Sequence, residues 1–201
     1  MVDKKALMIG LEKSRSVVDG IIEDDKIQSR ITDSIEMVVA CFQNGKKLLF
    51  VGNGGSAADA QHMSAEYVSR FMFDRPGLPS IALTTDTSAL TAIGNDYGFE
   101  FLFSRQIESL GSNGDVLFAY STSGTSANII MAIKIAQSKG INIIGMTGCK
   151  PQSSDMKDLC DITIEVPSQE TPHIQEGHLI IGHLICQHVE QQIFQNKSKD
   201  S

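Results

Sequence analysis

Lys47-Leu-Leu-Phe-Val-Gly-Asn-Gly-Gly-Ser-Ala-Ala-Asp-Ala-Gln-His-Met-Ser-Ala-Glu-Tyr-Val-Ser-Arg70 decides how the chain is read. Leu48–Val51 is a short, wholly apolar run of the kind buried on both faces of a parallel sheet. Gly52-Asn53-Gly54-Gly55-Ser56 follows, and its glycines permit positive φ and close approach of the backbone to a ligand. A helical pattern over 57–71 comes next, with His62 and Glu66 four residues apart and so on one face. Strand, glycine turn and helix together make a phosphate or polyol site, because amides at a helix N-terminus favour an anion or a hydroxyl. The same turn also fits a tight strand-to-helix connection with no ligand.

Working outward, strands and helices alternate. Residues 3–43 carry apolar positions at helical spacing, including Ile31, Ile35, Val38, Val39 and Phe42, and read as two helices or one helix broken near Gly20. Asn44-Gly45 is a C-terminal stop. After the turn Arg75-Pro-Gly-Leu-Pro79, further strands are expected at 80–83, 115–120, 141–146 and 161–166. Helices are expected at 87–93, 99–110, 127–139, near 153–158, and from about 171 to 195. The polar tail 196–201 is expected to fray. This order predicts an α/β fold, a three-layer αβα sandwich with a central parallel sheet. Residues 1–45 are expected to form an N-terminal helical extension and residues 46–195 the sheet domain. Ligands of such sheets sit outside the carboxyl ends of the strands, so the turns at 52–56 and 121–126 share one edge.

Ser121-Thr-Ser-Gly-Thr-Ser126 places five hydroxyl residues and one glycine between a strand and a helix. That chemistry suits a phosphate monoester with several acceptor oxygens. One hydroxyl would suffice as a helix cap, which is the plainer use of such a stretch. The lysine of a nucleotide P-loop does not follow.

His62 and Glu66 could bind a divalent ion or work as acid and base beside a carbonyl. Alone, they could also be a solvated helix face. Asp59 lies three residues before His62, near the same face. The final helix adds Gln175, His178 and His183. On a straight helix Gln175 and His183 are roughly 80° apart around the axis and about 12 Å along it. Both reach one ion only if the chain bends, if Gln175 precedes the regular helix, or if two helices or two subunits contribute. His178 and His188 read as structural or surface residues.

Composition bounds the classes. The chain has 201 residues and a net charge of −7, which disfavours a nonspecific nucleic-acid binder. Its apolar fraction is 41%, ordinary for a globular protein large enough to fold without disulfides. Cys41, Cys149, Cys160 and Cys186 lack metal-type spacing and are expected to be reduced thiols. No run approaches the roughly 20 apolar residues of a membrane span. A cytoplasmic location is the expectation.

Four motifs in collinear order carry a resemblance: residues 51–62, Ile93-Gly-Asn-Asp-Tyr-Gly-Phe99, Ser121-Thr-Ser-Gly-x-Ser126 and Ile174-Gln-Glu176. Across roughly residues 30–195 the chain resembles the sugar-isomerase (SIS) domain and, within it, the phosphoheptose isomerases. The resemblance implies conversion of D-sedoheptulose 7-phosphate to D-glycero-D-manno-heptose 7-phosphate through an enediol, the first step of ADP-heptose synthesis. That pathway feeds lipopolysaccharide core or other heptose-containing glycans. It implies a homotetramer with shared active sites and one Zn2+ per subunit, held by His62, Glu66, Gln175 and His183. Glu66 and His183 are the implied base and acid. Asn53, Gly54 and Gly55 fall where the family contacts sugar hydroxyls, and Asn95 and Asp96 fall in a second substrate segment. Ser121, Thr122, Ser123 and Ser126 match the phosphate loop. His62, Glu66 and Gln175 are also implied substrate contacts, and Arg70 matches an activity-linked basic position. Thr125 replaces a more usual Lys, Arg or Asn, and His173 stands where Arg often precedes Ile-Gln-Glu. The competing reading is a non-enzymatic SIS adaptor resembling the replication-initiator-associating protein, which would have less reason to keep all four proposed metal ligands.

Overall fold

A computed structural model describes residues 3–149 and 154–195; the tail at 196–201 lies outside them. Two helices, α1 (Lys4–Glu23) and α2 (Asp25–Gln43), precede the sheet domain. Then follow β1 (Leu48–Val51), α3 (Gly55–Val68), β2 (Ser80–Ala82), α4 (Thr87–Asp96) and α5 (Ser104–Leu110). β3 (Val116–Tyr120), α6 (Ala127–Ser138), β4 (Asn142–Gly148), α7 (Ser154–Lys157), β5 (Ile162–Val166) and α8 (Thr171–Glu190) complete the order.

The five strands form one parallel sheet in the order β2-β1-β3-β4-β5. The chain leaves β1 toward β2 on one side and resumes at β3 on the other. The crevice between the ends of β1 and β3 is thus the topological switch point, where ligands of open α/β sheets bind. Both polar turns flank it.

The strand pleat divides the core in two. Val116, Phe118 and Tyr120 face α2, α3 and α8, while Leu117 and Ala119 face α5 and α6. Every residue of β1 and β3 is buried, which explains their unbroken apolar sequences. Phe50 stacks on Phe118 at 4.9 Å between ring centroids, a pairing that adds about 0.5–1.5 kcal/mol to simple burial. Val17 and Ile21 of α1 and Ile27 to Cys41 of α2 join the same cluster as α8. The N-terminal helices therefore share a core with the sheet domain.

Three expected features change. The N-terminal break falls at Asp24, not near Gly20. The Asp24 carboxylate accepts the N–H groups of Lys26 and Ile27, ending one helix and capping the next. Gly20 stays helical, and its hydrogen serves close packing: a Cβ there would lie 2.9 Å from Pro167. The α-helical part of the last helix ends at Glu190, and a π-helical turn, Gln191–Gln195, completes the stretch. The expected helix at 99–110 divides into a 3-10 turn, Phe99–Phe101, and α5.

Candidate active site

A cavity of about 310 Å3 opens at the switch point. Asn53, Gly54 and Gly55 form one wall, Ser121, Thr122 and Ser126 the opposite one, and Thr171 and Gln175 of α8 close the end. Asn53 and Asn128 tie the two turns together: each side-chain amide donates to the other's oxygen at 2.8 Å. Gly55 lets the Gln175 amide lie against its Cα; a Cβ there would push that amide aside. Tyr120, Asn128 and Thr171 were not singled out from sequence. Tyr120 sits at the end of an apolar strand and Asn128 inside a helix, so neither carries a local signal.

Three helices begin at this cavity, α3 at Gly54, α6 at Ser126 and α8 at Glu170, and none has a side-chain cap. Elsewhere α1, α2 and α4 are capped by the carboxylates of Asp3, Asp24 and Asp86. The capping use of the serine-rich loop is therefore not taken. The Ser126 hydroxyl lies 3.0 Å from the Ser121 hydroxyl, and Ser123 accepts the N–H and hydroxyl of Thr125. Each helix start carries roughly half a positive charge and unsatisfied N–H groups. Three of them converging on hydroxyls favour an anion, and among the described residues neither Lys nor Arg lines the cavity.

Farther along α3, His62 and Glu66 meet His183 of α8. The Nε2 atoms of His62 and His183 are 2.8 Å apart, and His62 Nε2 is 3.4 Å from Glu66 Oε1. One ligand atom from each residue lies within 4.8 Å of the others. Gly182 brings the helices together, since a Cβ there would lie 2.8 Å from Met63 Sδ. Burial lowers the pKa of His183, with the charge of His62 adding to the effect and Glu66 opposing it. The neutral imidazole so favoured can accept a proton or bind a metal.

Two imidazoles and a carboxylate form a known Zn2+ donor set. Tetrahedral bonds of about 2.0–2.2 Å would put ligand atoms roughly 3.4 Å apart. The trio fits such an ion with small side-chain adjustments. Gln175 does not join it within one chain. It precedes His183 by two turns of α8, about 12 Å, and packs against Gly55.

Asp59 lies near His62 as its spacing suggests, but it is buried; among the described residues one Oδ has no hydrogen-bond partner, and burial raises its pKa to about 6, with His62 opposing. His178 is fully buried, with its ring Nε2 3.3 Å from the Thr147 carbonyl, in line with a structural part. His188 is exposed. Arg70 is exposed beyond α3, and Asn95 and Asp96 are exposed at the end of α4, paired with each other at 2.8 Å. None of these last three lines the cavity. Among the expected departures, Thr125 is exposed, and His173 contacts Ser14 and Glu176 in a junction between α1 and α8.

A sheet with a polar cradle at its switch point, and a His/Glu/His trio that begins about two turns farther along α3, is the build of a sugar-phosphate protein. The sequence pattern of the SIS domain matches residues 11–148, more than half of the chain, and the chain belongs to the SIS-domain family. Within the family it is similar to the phosphoheptose isomerase of Aneurinibacillus thermoaerophilus, 54% identical over 187 residues covering 93% of each chain. The phosphoheptose isomerase of Burkholderia pseudomallei strain 1710b is 52% identical over 92% of each chain. Among solved structures, the Neisseria gonorrhoeae phosphoheptose isomerase superposes with a TM-score of 0.86 at 38% identity, covering 94% of this chain and 98% of that one. The Francisella tularensis enzyme gives 0.89 at 33% identity, over 95% and 100%. The chain is accordingly an enzyme, a sugar-phosphate isomerase of the phosphoheptose isomerase group.

Proposed function

We propose that the chain interconverts D-sedoheptulose 7-phosphate and D-glycero-D-manno-heptose 7-phosphate through an enediol, as the first step of ADP-heptose synthesis. The observation that carries this reading is the spacing of the two halves of the site. His62 lies seven residues beyond Gly55 on α3, at nearly the same angle around the axis and about 10 Å along it. A phosphate in the cradle of Ser121, Thr122, Ser123 and Ser126 would then be separated from the acid/base trio by a multi-carbon sugar. Asn53 and the Gly54–Gly55 backbone would meet its hydroxyls.

In this reading Glu66 takes the proton from one of the two reacting carbons and returns it to the other. Neutral His183 moves a proton between O1 and O2, so atoms and charge balance over the cycle. His62, 2.8 Å from His183, orients the imidazole through their shared hydrogen bond. Zn2+ held by His62, Glu66 and His183 would take the place of that shared hydrogen, polarise the carbonyl and stabilise negative charge on oxygen, and the O1-to-O2 proton would then pass through solvent rather than through His183.

The same proposal includes a homotetramer with shared sites. Gln175 can complete the ligand set only from a neighbouring chain, given its separation from His183. Asn95 and Asp96, remote from their own cavity, are assigned to a neighbour's site. Exposed Leu7, Met8, Leu11 and Ile22 near the N-terminal helices support their part in oligomerisation. A cytoplasmic location belongs to the proposal; among the described residues no helix is long and apolar enough to cross a membrane.

The deciding assay follows aldose formation from sedoheptulose 7-phosphate by purified protein, with and without Zn2+. Metal-dependent turnover is expected. Its absence under metal-replete conditions would rule out sedoheptulose 7-phosphate as the substrate.

A further inference from the structure

The segment after α3 doubles back along α8 and is fastened by one buried ion pair. Arg75 Nε donates to Glu190 Oε1 at 2.7 Å, and both side chains are 1% exposed. The same carboxylate accepts the backbone N–H of Phe71 at 3.0 Å and of Met72 at 2.9 Å. Arg75 also donates to the carbonyls of Glu66 and Tyr67 at 2.8 Å, closing the end of α3. Although burial opposes its ionisation, these bonds hold the Glu190 carboxyl below the usual carboxylate range.

The fastened segment carries a ring to the trio. Phe71 stacks on His183 at 5.5 Å between centroids and 26° between planes. His62 meets the same imidazole edge-on, at 5.1 Å and 68°. Glu190 and His183 lie seven residues apart on α8, on one face and about 10 Å apart, so the segment runs from one to the other.

We propose that Phe71, fastened through the Arg75–Glu190 pair, is a positioning residue that fixes the ring plane of His183 so that Nε2 points at His62 and Glu66. This rests on the isomerase reading of the trio. An imidazole can rotate about its side-chain bonds, and a hydrogen bond at one nitrogen leaves the ring plane free to swing. A flat apolar partner on one face removes that freedom, and the fastening of the Phe71 backbone keeps the partner in place. The arrangement matches the general way in which groups behind metal ligands set ligand orientation.

The test uses the 201-residue chain stripped of metal and compares wild type, Phe71→Leu and Phe71→Tyr. Zn2+ affinity is measured by calorimetry, and kcat and KM are measured on sedoheptulose 7-phosphate with Zn2+ restored. Phe71→Leu is expected to lose roughly 10–100-fold in Zn2+ affinity and in kcat, with KM changed less than about twofold. Phe71→Tyr, which keeps the flat ring, is expected to recover both. Thermal melting establishes that each variant is folded, and Phe71→Met replaces the leucine variant if that one melts below assay temperature. A folded leucine or methionine variant with wild-type Zn2+ affinity would overturn the proposal. So would a tyrosine variant as impaired as the leucine one. If wild type itself lacks turnover, the isomerase reading fails, while the Zn2+ affinities still decide the positioning role.

Discussion

The Nε2 atoms of His62 and His183 lie 2.8 Å apart although 121 residues separate them in the chain. Two neutral imidazoles at that distance share one hydrogen, so one ring donates and the other accepts. The pair, with Glu66 beside it, forms a compact group able to take up and return protons or to close on a metal.

Glu66→Gln tests the base. The amide keeps the shape of the carboxylate but cannot accept the carbon proton. Turnover is expected to fall at least about 1000-fold, within the range of losing a general base. Inorganic phosphate should bind with unchanged affinity, because the cradle lies at the other end of α3. Stability should shift by less than about 0.5 kcal/mol, since the His62–Glu66 pair is partly solvated. Retained turnover would remove Glu66 from the mechanism.

Chelation tests the metal. Treatment with a strong chelator should abolish turnover, and added Zn2+ should restore it. His183→Gln should lower Zn2+ affinity at least about tenfold, by loss of an imidazole ligand. A chelated enzyme with full activity would make the trio purely an acid/base group.

Ser126→Ala tests the cradle. Its hydroxyl makes no cap bond and faces Ser121, so its removal should cost little stability. KM for the sugar phosphate should rise about 5–20-fold with kcat nearly constant, the pattern of a lost ground-state contact worth about 1–2 kcal/mol. A fall in stability with KM unchanged would mark the hydroxyl as structural.

His178 sets a pH response. Burial lowers its pKa to about 4 from an ordinary 6.5. Between these values the unfolded chain binds the additional proton, so stability is present above pH 6.5 and is lost as pH falls toward 4. The contribution is roughly 3 kcal/mol. Asp59, raised to about 6 by burial, acts oppositely between its ordinary 3.8 and 6. Melting curves of wild type and His178→Gln across this range should separate the two, because the Asp59 contribution is common to both. Equal pH slopes would show that His178 does not supply the response.

Much of the fold was legible because it is written locally. Strands buried on both faces need continuous apolar residues, and Leu48–Val51 and Val116–Tyr120 supply them. Gly52–Ser56 and Ser121–Ser126 mark their ends by composition alone. The helix break was harder to place. Gly20 looked like the weak point, yet it is kept for contact with Pro167 from the far end of the domain, while Asp24 makes the break by capping.

The sequence by itself determined the alternation of strands and helices, the two polar turns on one sheet edge, and the pairing of His62 with Glu66 on one helix face. These follow from short-range periodicity and backbone chemistry. Tertiary structure alone decided which distant groups meet. It brought His183 to His62 across the close approach at Gly182, turned Asp59 inward, and left the starts of α3, α6 and α8 open to one cavity. It also kept Gln175 away from the trio within one chain. Such placements depend on sheet order and helix packing, which arise from the sum of many contacts and leave no mark at any single position.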